Sequence, residues 1–298
     1  MSTTCLRLAI VVTVLNEIDT ISDLTSSLTH QSLKPNEVVI VDGGSNDGTW
    51  EYLQKQKTIK SFRKQGNRSV GRNFGVAKSS SPIIAFTDAG CVPESNWLEE
   101  LTRPFADAQV SIVSGYYKGL PQHIFEKCLV PYVLVMPDKI PREFFPSTRS
   151  MALRKNVWDK SGGFNKKLSH NEDYEFAHRL KRLGYSFTFS PKAIVSWRPR
   201  SDLKSAAWMW LRFAIGDAQS GILRPKVKLL ALRYYVFFFL FFLNHWLALL
   251  AIPYLIWAIF KNYRYVKDLR AIFWLPVLQL TSDIMVLFGT IVGLLSRG

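Results

Sequence analysis

The chain alternates short β-branched apolar runs with longer stretches whose apolar residues recur at helical spacing. Residues 6–14 form the first run, a buried strand that stops at Asn16-Glu17. Ile21, Leu24 and Leu28 then mark a helix, with Asn16 as its expected cap. Residues 38–41 are a second strand, ending in the turn cluster Asp42-Gly43-Gly44-Ser45-Asn46-Asp47-Gly48-Thr49. A helix carrying Trp50 and Leu53 follows, then a basic stretch over 55–64 with room for another strand. The spacing predicts a helix over 69–78 with Val70, Phe74 and Ala77 inward and Arg72-Asn73 near its start. Ile83-Ile84-Ala85-Phe86 is a further buried run, halted by Thr87-Asp88-Ala89-Gly90. Pro93 and Glu94 open a helix with Trp97, Leu98, Leu101 and Phe105 on one face, and residues 110–114 return to strand. This alternation predicts an α/β domain: a mixed, mostly parallel sheet covered on both faces by helices.

The pattern changes after residue 120. Residues 122–140 are apolar but broken by Pro131 and Pro137, as a flap or an interfacial segment would be. A short helix over 155–164 ends in Gly162-Gly163. Asn171-Glu172-Asp173 opens the next helix, with Phe176, Ala177, Leu180 and Leu183 as its stripe and Gly184 as its stop. Asp173, three residues before Phe176, is expected on the inward face; Glu172 is expected outward, as an ordinary dipole cap. Short strands over 186–189 and 194–196 precede Trp197-Arg198-Pro199-Arg200. Residues 205–219 read as an amphipathic helix bearing Trp208, Trp210 and Arg212, suited to a membrane interface or to packing on the domain.

Two stretches near the end exceed the ~20 apolar residues that span a bilayer: 234–260, which carries no charge, and 271–295, interrupted by Asp283. We expect two spans, hence a multi-pass membrane protein with its catalytic part on the cytoplasmic side. The basic loop between the stretches (Lys261, Arg264, Lys267, Arg270) sits awkwardly with a simple hairpin, and Asn244-His245 offers a re-entrant turn instead. The expected division is residues 1–200 as the catalytic domain, 201–228 as an interfacial linker helix and 229–298 as the transmembrane region.

Net charge adds a partner class. At +15 the chain favours an anionic partner: a phosphate-bearing substrate or acidic membrane lipid. No zinc-finger spacing, RNP motif or basic coiled coil is present, so nucleic acid is not expected. Three scattered cysteines, Cys5, Cys91 and Cys128, form no CxxC pair and suit a reducing compartment. The first seven residues lack the regions of a signal peptide.

The chemistry gathers at strand ends. In a parallel sheet the carboxyl ends of three strands, Asn16-Glu17, Asp42 and Asp88, lie along one edge, where open α/β sheets bind ligands. One acidic turn would be ordinary; two aspartates converging with an Arg72 helix make a nucleotide pocket. The turn after Asp42 is not a GxGxxG fingerprint. Asp173, kept ionised by its helix dipole, is a candidate general base. Asp42, Arg72, Asp88 and Asp173 can together hold a base and ribose, neutralise a diphosphate and deprotonate an acceptor hydroxyl.

These motifs resemble the family 2 glycosyltransferases, which have the GT-A fold. The matching stretches are 12–17, 41–49, Gly71-Arg72-Asn73, Thr87-Asp88-Ala89-Gly90 and Asn171-Glu172-Asp173, in the family's order over roughly the first 200 residues. The resemblance implies an inverting transfer by in-line displacement from a nucleotide-sugar donor. It implies that Asp42 and Arg72 hold the nucleobase, with Asn16 and Glu17 in the same donor site. Asp88 would sit by ribose and a divalent cation, Mg²⁺ or Mn²⁺, and Asp173 would be the catalytic base. Glu172, Trp197, Arg198 and Arg212 are the expected contacts to acceptor or diphosphate. The family's Asp-x-Asp reads Asp88-Ala89-Gly90 here, Gly43 replaces a second acid, and Met209-Trp210-Leu211-Arg212-Phe213 stands where Gln-x-x-Arg-Trp would fall. The implied acceptor is a membrane-associated, lipid-linked glycan or glycolipid, in cell-envelope glycan or glycolipid synthesis. The competing reading is a membrane-anchored nucleotide-sugar-binding protein without turnover. Nucleotidyl transfer has no Gly-rich, Lys-bearing loop to support it.

Overall fold

A computed structural model describes residues 7–297; Leu6, expected in the first strand, and Cys5 lie outside them. The chain divides into two compact units: Met1–Lys118 with Asp138–Arg198, and Gly119–Pro137 with Pro199–Gly298.

In the first unit, β1 (Leu8–Val14), α1 (Ile21–Thr29), β2 (Glu37–Asp42), α2 (Thr49–Gln54), β3 (Lys60–Arg63), α3 (Arg68–Lys78) and β4 (Ile83–Phe86) follow the expected alternation. β5 (Cys91–Pro93), α4 (Trp97–Thr102) and β6 (Ile112–Gly119) come next. The basic stretch yields β3, an edge strand, which suits its charged, exposed side chains. Among the described residues one eight-stranded sheet runs β3-β2-β1-β4 and continues through β7 (Met151–Arg154), β6, β8 (Thr188–Trp197) and β5. β1 pairs in parallel with β2 and β4, and β3 in parallel with β2. β7 is antiparallel to both β4 and β6, and β5 to β8, so the sheet is mixed. Val14 stands opposite Asp42 and Val11 opposite Phe86, which brings the three polar strand ends to one edge as expected. The two short strands expected over 186–196 are one, β8.

Aromatic packing fixes the helix that carries the candidate base. Phe86, Trp158, Phe164 and Phe176 are buried together. Phe164 and Phe176 lie 4.7 Å apart, and Phe86 and Phe164 5.6 Å, so β4, α6 (Lys155–Ser161) and α7 (Glu172–Arg182) share one core. Leu183, expected in the α7 stripe, is 54% exposed because the helix has ended and Leu183 is its cap.

The inward face of α3 differs from the expectation. Ser69, Gly71, Arg72, Gly75 and Val76 are buried, whereas Ala77 is exposed and Phe74 packs edge-on against Phe62 at 5.7 Å. A Cβ at Gly71 would stand 2.7 Å from Thr13 Cγ2, and one at Gly75 2.6 Å from Val11 Cγ1. The two glycines let the helix lie almost on the sheet. Periodicity of large apolar residues missed that face because its contact is made by residues without side chains.

In the second unit α5 (Ile124–Val133), formed by the Pro-broken stretch, joins α8 (Leu203–Ser220), α9 (Pro225–Leu243), α10 (Ala251–Val266) and α11 (Ala271–Leu295). Gly289 and Gly293 bring α11 against α8: added Cβ atoms would meet Leu211 O at 2.6 Å and Ala218 Cβ at 2.7 Å. Trp210 is buried within this unit and Trp208 is exposed. The expected apolar stretch 234–260 is not one helix. It breaks at Asn244, whose backbone is extended and whose side chain accepts from Trp246 N at 3.0 Å, capping a new turn. Among the described residues, the helices long and apolar enough to cross a membrane are His245–Val266 and Ala271–Leu295.

Gly75→Val places a branched side chain where Val11 already sits, and is expected to destabilise the first unit by about 1–3 kcal/mol. Thermal unfolding of the variant checks this; an unchanged midpoint would show that α3 does not rest on β1 through its glycines.

Candidate active site

Arg72 organises the polar cluster. The α3 helix points it inward, and its side chain is 3% exposed. One guanidinium nitrogen donates to Asp88 at 2.7 Å and another to Glu172, whose side chain is also 3% exposed. The guanidinium lies 5.5 Å from the centre of the Phe164 ring. Burial alone would discharge Arg72, but Glu172, Asp88 and Asp173 outweigh it and raise its pKa. Asp88 shows the reciprocal effect. Burial opposes its charge, yet Arg72, Arg149 and Arg68 hold its carboxyl below the usual range.

Glu172 is therefore not the outward cap that was expected. It is i, i+4 to Phe176, so it continues the buried stripe, and burial pushes its pKa up against the pull of Arg72. Asp173 is partly buried and turns to the loop before β7. Its Oδ2 accepts from Ser147 Oγ at 2.8 Å and from Thr148 N at 3.3 Å. Asn171, with φ of 53°, makes the turn that starts α7 here.

At the β1–β2 end, Asp42 is fully buried. Its Oδ1 accepts from Gly44 N at 2.7 Å and Ser45 N at 2.9 Å, while Oδ2 has no partner. Thr87 Oγ1, just past β4, is likewise buried and unpartnered. Asn16 does not cap α1, whose cap position is Thr20. It adopts a φ of 54°, donates its amide to Ser45 Oγ at 2.8 Å and accepts from Asn46 N at 3.0 Å, tying the two turns together. Glu17 donates its amide to Thr49 Oγ1 at 2.9 Å and accepts from Thr20 Oγ1 at 2.8 Å. Arg63 lies 5.6 Å from the Trp50 ring and 3.5 Å from Asp42 Oδ1.

The structure brings Arg72, Asp88, Glu172 and Asp173 together, and seats Asn16, Glu17 and Asp42 along the same sheet edge. Trp197, buried at the end of β8, faces Arg149. Arg198 turns to Asp23 of α1, and its Nε has no hydrogen-bond partner. Arg212 belongs to the second unit, on the exposed side of α8, 5.9 Å from the Trp208 ring.

Arg149 is the residue that the sequence reading missed. Its guanidinium is held between the Tyr117 ring at 5.3 Å and the Trp197 ring at 5.5 Å. Burial would lower its pKa, but Tyr117, Asp88, Cys91 and Asp173 raise it, so it stays charged. Among the described residues no carboxylate lies within ion-pair distance of it. The signal available was a lone arginine in Ser147-Thr148-Arg149-Ser150, and nothing in the spacing ties it to residues 117 and 197.

Comparison with known proteins identifies the family. The profile described as glycosyl transferase family 2 matches residues 9–165, more than half of the chain. The chain belongs to glycosyl transferase family 2. A second profile, glycosyl transferase family group 2, matches residues 132–286. Among curated relatives, the glycosyltransferase AglE of Haloferax volcanii is 26% identical over 208 residues, 65% of this chain and 67% of its own length. The O-antigen chain rhamnosyltransferase RfbN of Salmonella typhimurium is 22% identical over 61% of this chain and 64% of its own, just under two thirds. Among solved structures, a mannosyltransferase from Pyrobaculum calidifontis, in complex with GDP-Man and Mn²⁺, covers 95% of this chain and 87% of its own, with 18% identity and a TM-score of 0.58. GalNAc-T7, with UDP, GalNAc and Mn²⁺, covers 72% of this chain and 48% of its own, with 15% identity and a TM-score of 0.54. These likenesses show the GT-A fold.

The buried pair sets an expectation for stability in this family 2 domain. Glu172→Ala leaves Arg72 short of a partner in the core and should cost about 3–5 kcal/mol, where an exposed dipole cap would cost about 0.3–1. Thermal unfolding separates the two. Because Asp88 is depressed, its stabilisation is fully present above the usual carboxylate range, about 3.9, and is lost as pH falls through its lower folded value.

Proposed function

We propose that the chain is an inverting glycosyltransferase that moves a sugar from a nucleoside-diphosphate donor to a hydroxyl of a membrane-associated, lipid-linked acceptor. The observation that carries this reading is the pair of adjacent acids at the start of α7: Glu172 shares Arg72 with the donor-side Asp88, while the candidate base Asp173 turns to Ser147. The unpartnered Asp42 Oδ2 supports an adjacent nucleobase site, since a base N–H would supply its missing donor. Adding a Cβ to Gly90 meets nothing within 4 Å, which supports space for a sugar beside Asp88.

In the transfer, the acceptor oxygen attacks the anomeric carbon as its proton passes to Asp173. The bond to the diphosphate breaks on the opposite side, and its electron pair leaves with the nucleoside diphosphate. One base suffices because the diphosphate needs no acid to leave. Ser147 and the Thr148 amide orient Asp173. Arg149, a charged guanidinium next to Asp88, stabilises the departing diphosphate.

The fit to a divalent cation rests on Asp88. Its side chain is 29% exposed, and no group of three His, Cys, Asp or Glu gathers among the described residues. Asp88 would hold Mg²⁺ or Mn²⁺ as a single protein carboxylate, the remaining positions going to substrate oxygens and water. Bound there, the cation would add charge neutralisation at the diphosphate. His245–Val266 and Ala271–Leu295 support mooring to a membrane.

Release of nucleoside diphosphate from a panel of UDP- and GDP-sugars, in membranes supplying acceptor, tests the reading. Asp173→Asn should lower turnover about 10²-fold or more while leaving donor affinity in place. Wild-type turnover in that variant would remove Asp173 as the base; donor binding without turnover in any membrane would favour a binding protein. Arg149→Met, which keeps the volume between the two rings, should lower turnover about 10²-fold. It should also weaken nucleoside diphosphate binding far more than nucleoside binding. Equal loss for both ligands would make Arg149 a packing residue.

A further inference from the structure

The second unit carries a polar network unrelated to the transfer chemistry. Asp283, within the apolar α11, is buried. It accepts from Tyr234 Oη at 3.1 Å, from Tyr254 Oη and from Gln279 Nε2 at 2.9 Å. Two cations flank this network. Arg233 on α9 donates to Tyr254 Oη at 2.6 Å, and Lys261 on α10 donates to Gln279 Oε1 at 3.2 Å. Both also rest on one indole: the Arg233 guanidinium is 5.8 Å and the Lys261 ammonium 4.8 Å from the Trp257 ring centre. Arg233, Tyr254 and Trp257 line an open notch of about 260 Å³.

Helix packing accounts for Asp283, Tyr234 and Gln279, which join α9 to α11 and are satisfied. It does not account for Arg233. That residue is exposed, its guanidinium has no carboxylate within ion-pair distance among the described residues, and one hydrogen bond to a phenol uses one of its five donors. Leu229, Leu232 and Val236 around it, and Phe260 beside Lys261, are exposed apolar residues. Charge on such a surface is costly without a counter-ion. An anionic head with an apolar tail suits an exposed guanidinium ringed by exposed apolar side chains. A phosphate matches the guanidinium fork, while the tail covers the leucines.

We propose that Arg233, Lys261, Tyr254 and Trp257 form a binding site for the phosphate head of a membrane lipid, with its chain along the apolar face of α9. The site is independent of the donor chemistry. Its test is equilibrium binding of radiolabelled dodecyl phosphate to the full chain in dodecyl maltoside micelles. Saturable binding is expected, displaced by unlabelled dodecyl phosphate but not by equal concentrations of dodecanol or inorganic phosphate. Arg233→Gln and Lys261→Gln should each weaken it about 10-fold or more, the loss of a charged hydrogen bond. Arg233→Lys should retain most of it. Binding of UDP or GDP should stay within about twofold in all three variants, which reports an intact fold. Non-saturable binding, equal displacement by dodecanol, displacement by inorganic phosphate alone, or wild-type affinity in Arg233→Gln would each overturn the proposal.

Discussion

A buried arginine between two carboxylates holds the catalytic unit together. Arg72 is removed from water, so its charge must be answered within the fold, and the answers come from β4 through Asp88 and from α7 through Glu172. The same guanidinium rests on Phe164, which packs against Phe86 and Phe176. Two neighbouring elements and a helix a hundred residues further along the chain therefore meet at one cation. Replacing the cluster with hydrocarbon would leave the core packed; it would also leave the active-site edge without the charges that define it.

That constraint sets the geometry of what lies next to it. Glu172 is spent on Arg72, and its neighbour Asp173, one residue on, turns to Ser147 and Thr148 instead. Two adjacent acids thus take different partners: one neutralises a buried cation, the other accepts from a hydroxyl and an amide. Arg149 extends the positive charge outward, carried between two aromatic rings rather than by a carboxylate partner.

In the second unit the same rule operates in an apolar setting. Asp283 is tolerated in α11 because two phenols and an amide satisfy it. The glycines of α11 let α8 approach closely, as Gly71 and Gly75 do for α3 on the sheet. In both places small residues set the distance between elements, and polar residues set their pairing.

Local pattern determined much by itself. Alternating apolar runs named the strands of the parallel half and most of the helices, and three polar strand ends were legible as one edge, because direction in a parallel sheet follows from alternation alone. Asp42, Arg72, Asp88 and Asp173 were readable as a candidate site from residue type and order. Tertiary structure decided the rest. The inward face of α3 escaped the pattern because glycines carry no hydrophobic signal. Glu172 was misassigned because a first-turn acid reads as a cap unless its buried partner, a hundred residues earlier in the chain, is known. The stretch 234–260 looked continuous, yet Asn244 could satisfy backbone donors and start a new turn within it. Arg149 became visible only when folding placed Tyr117 and Trp197 on either side of it, a contact between residues whose separation in sequence has no period to read.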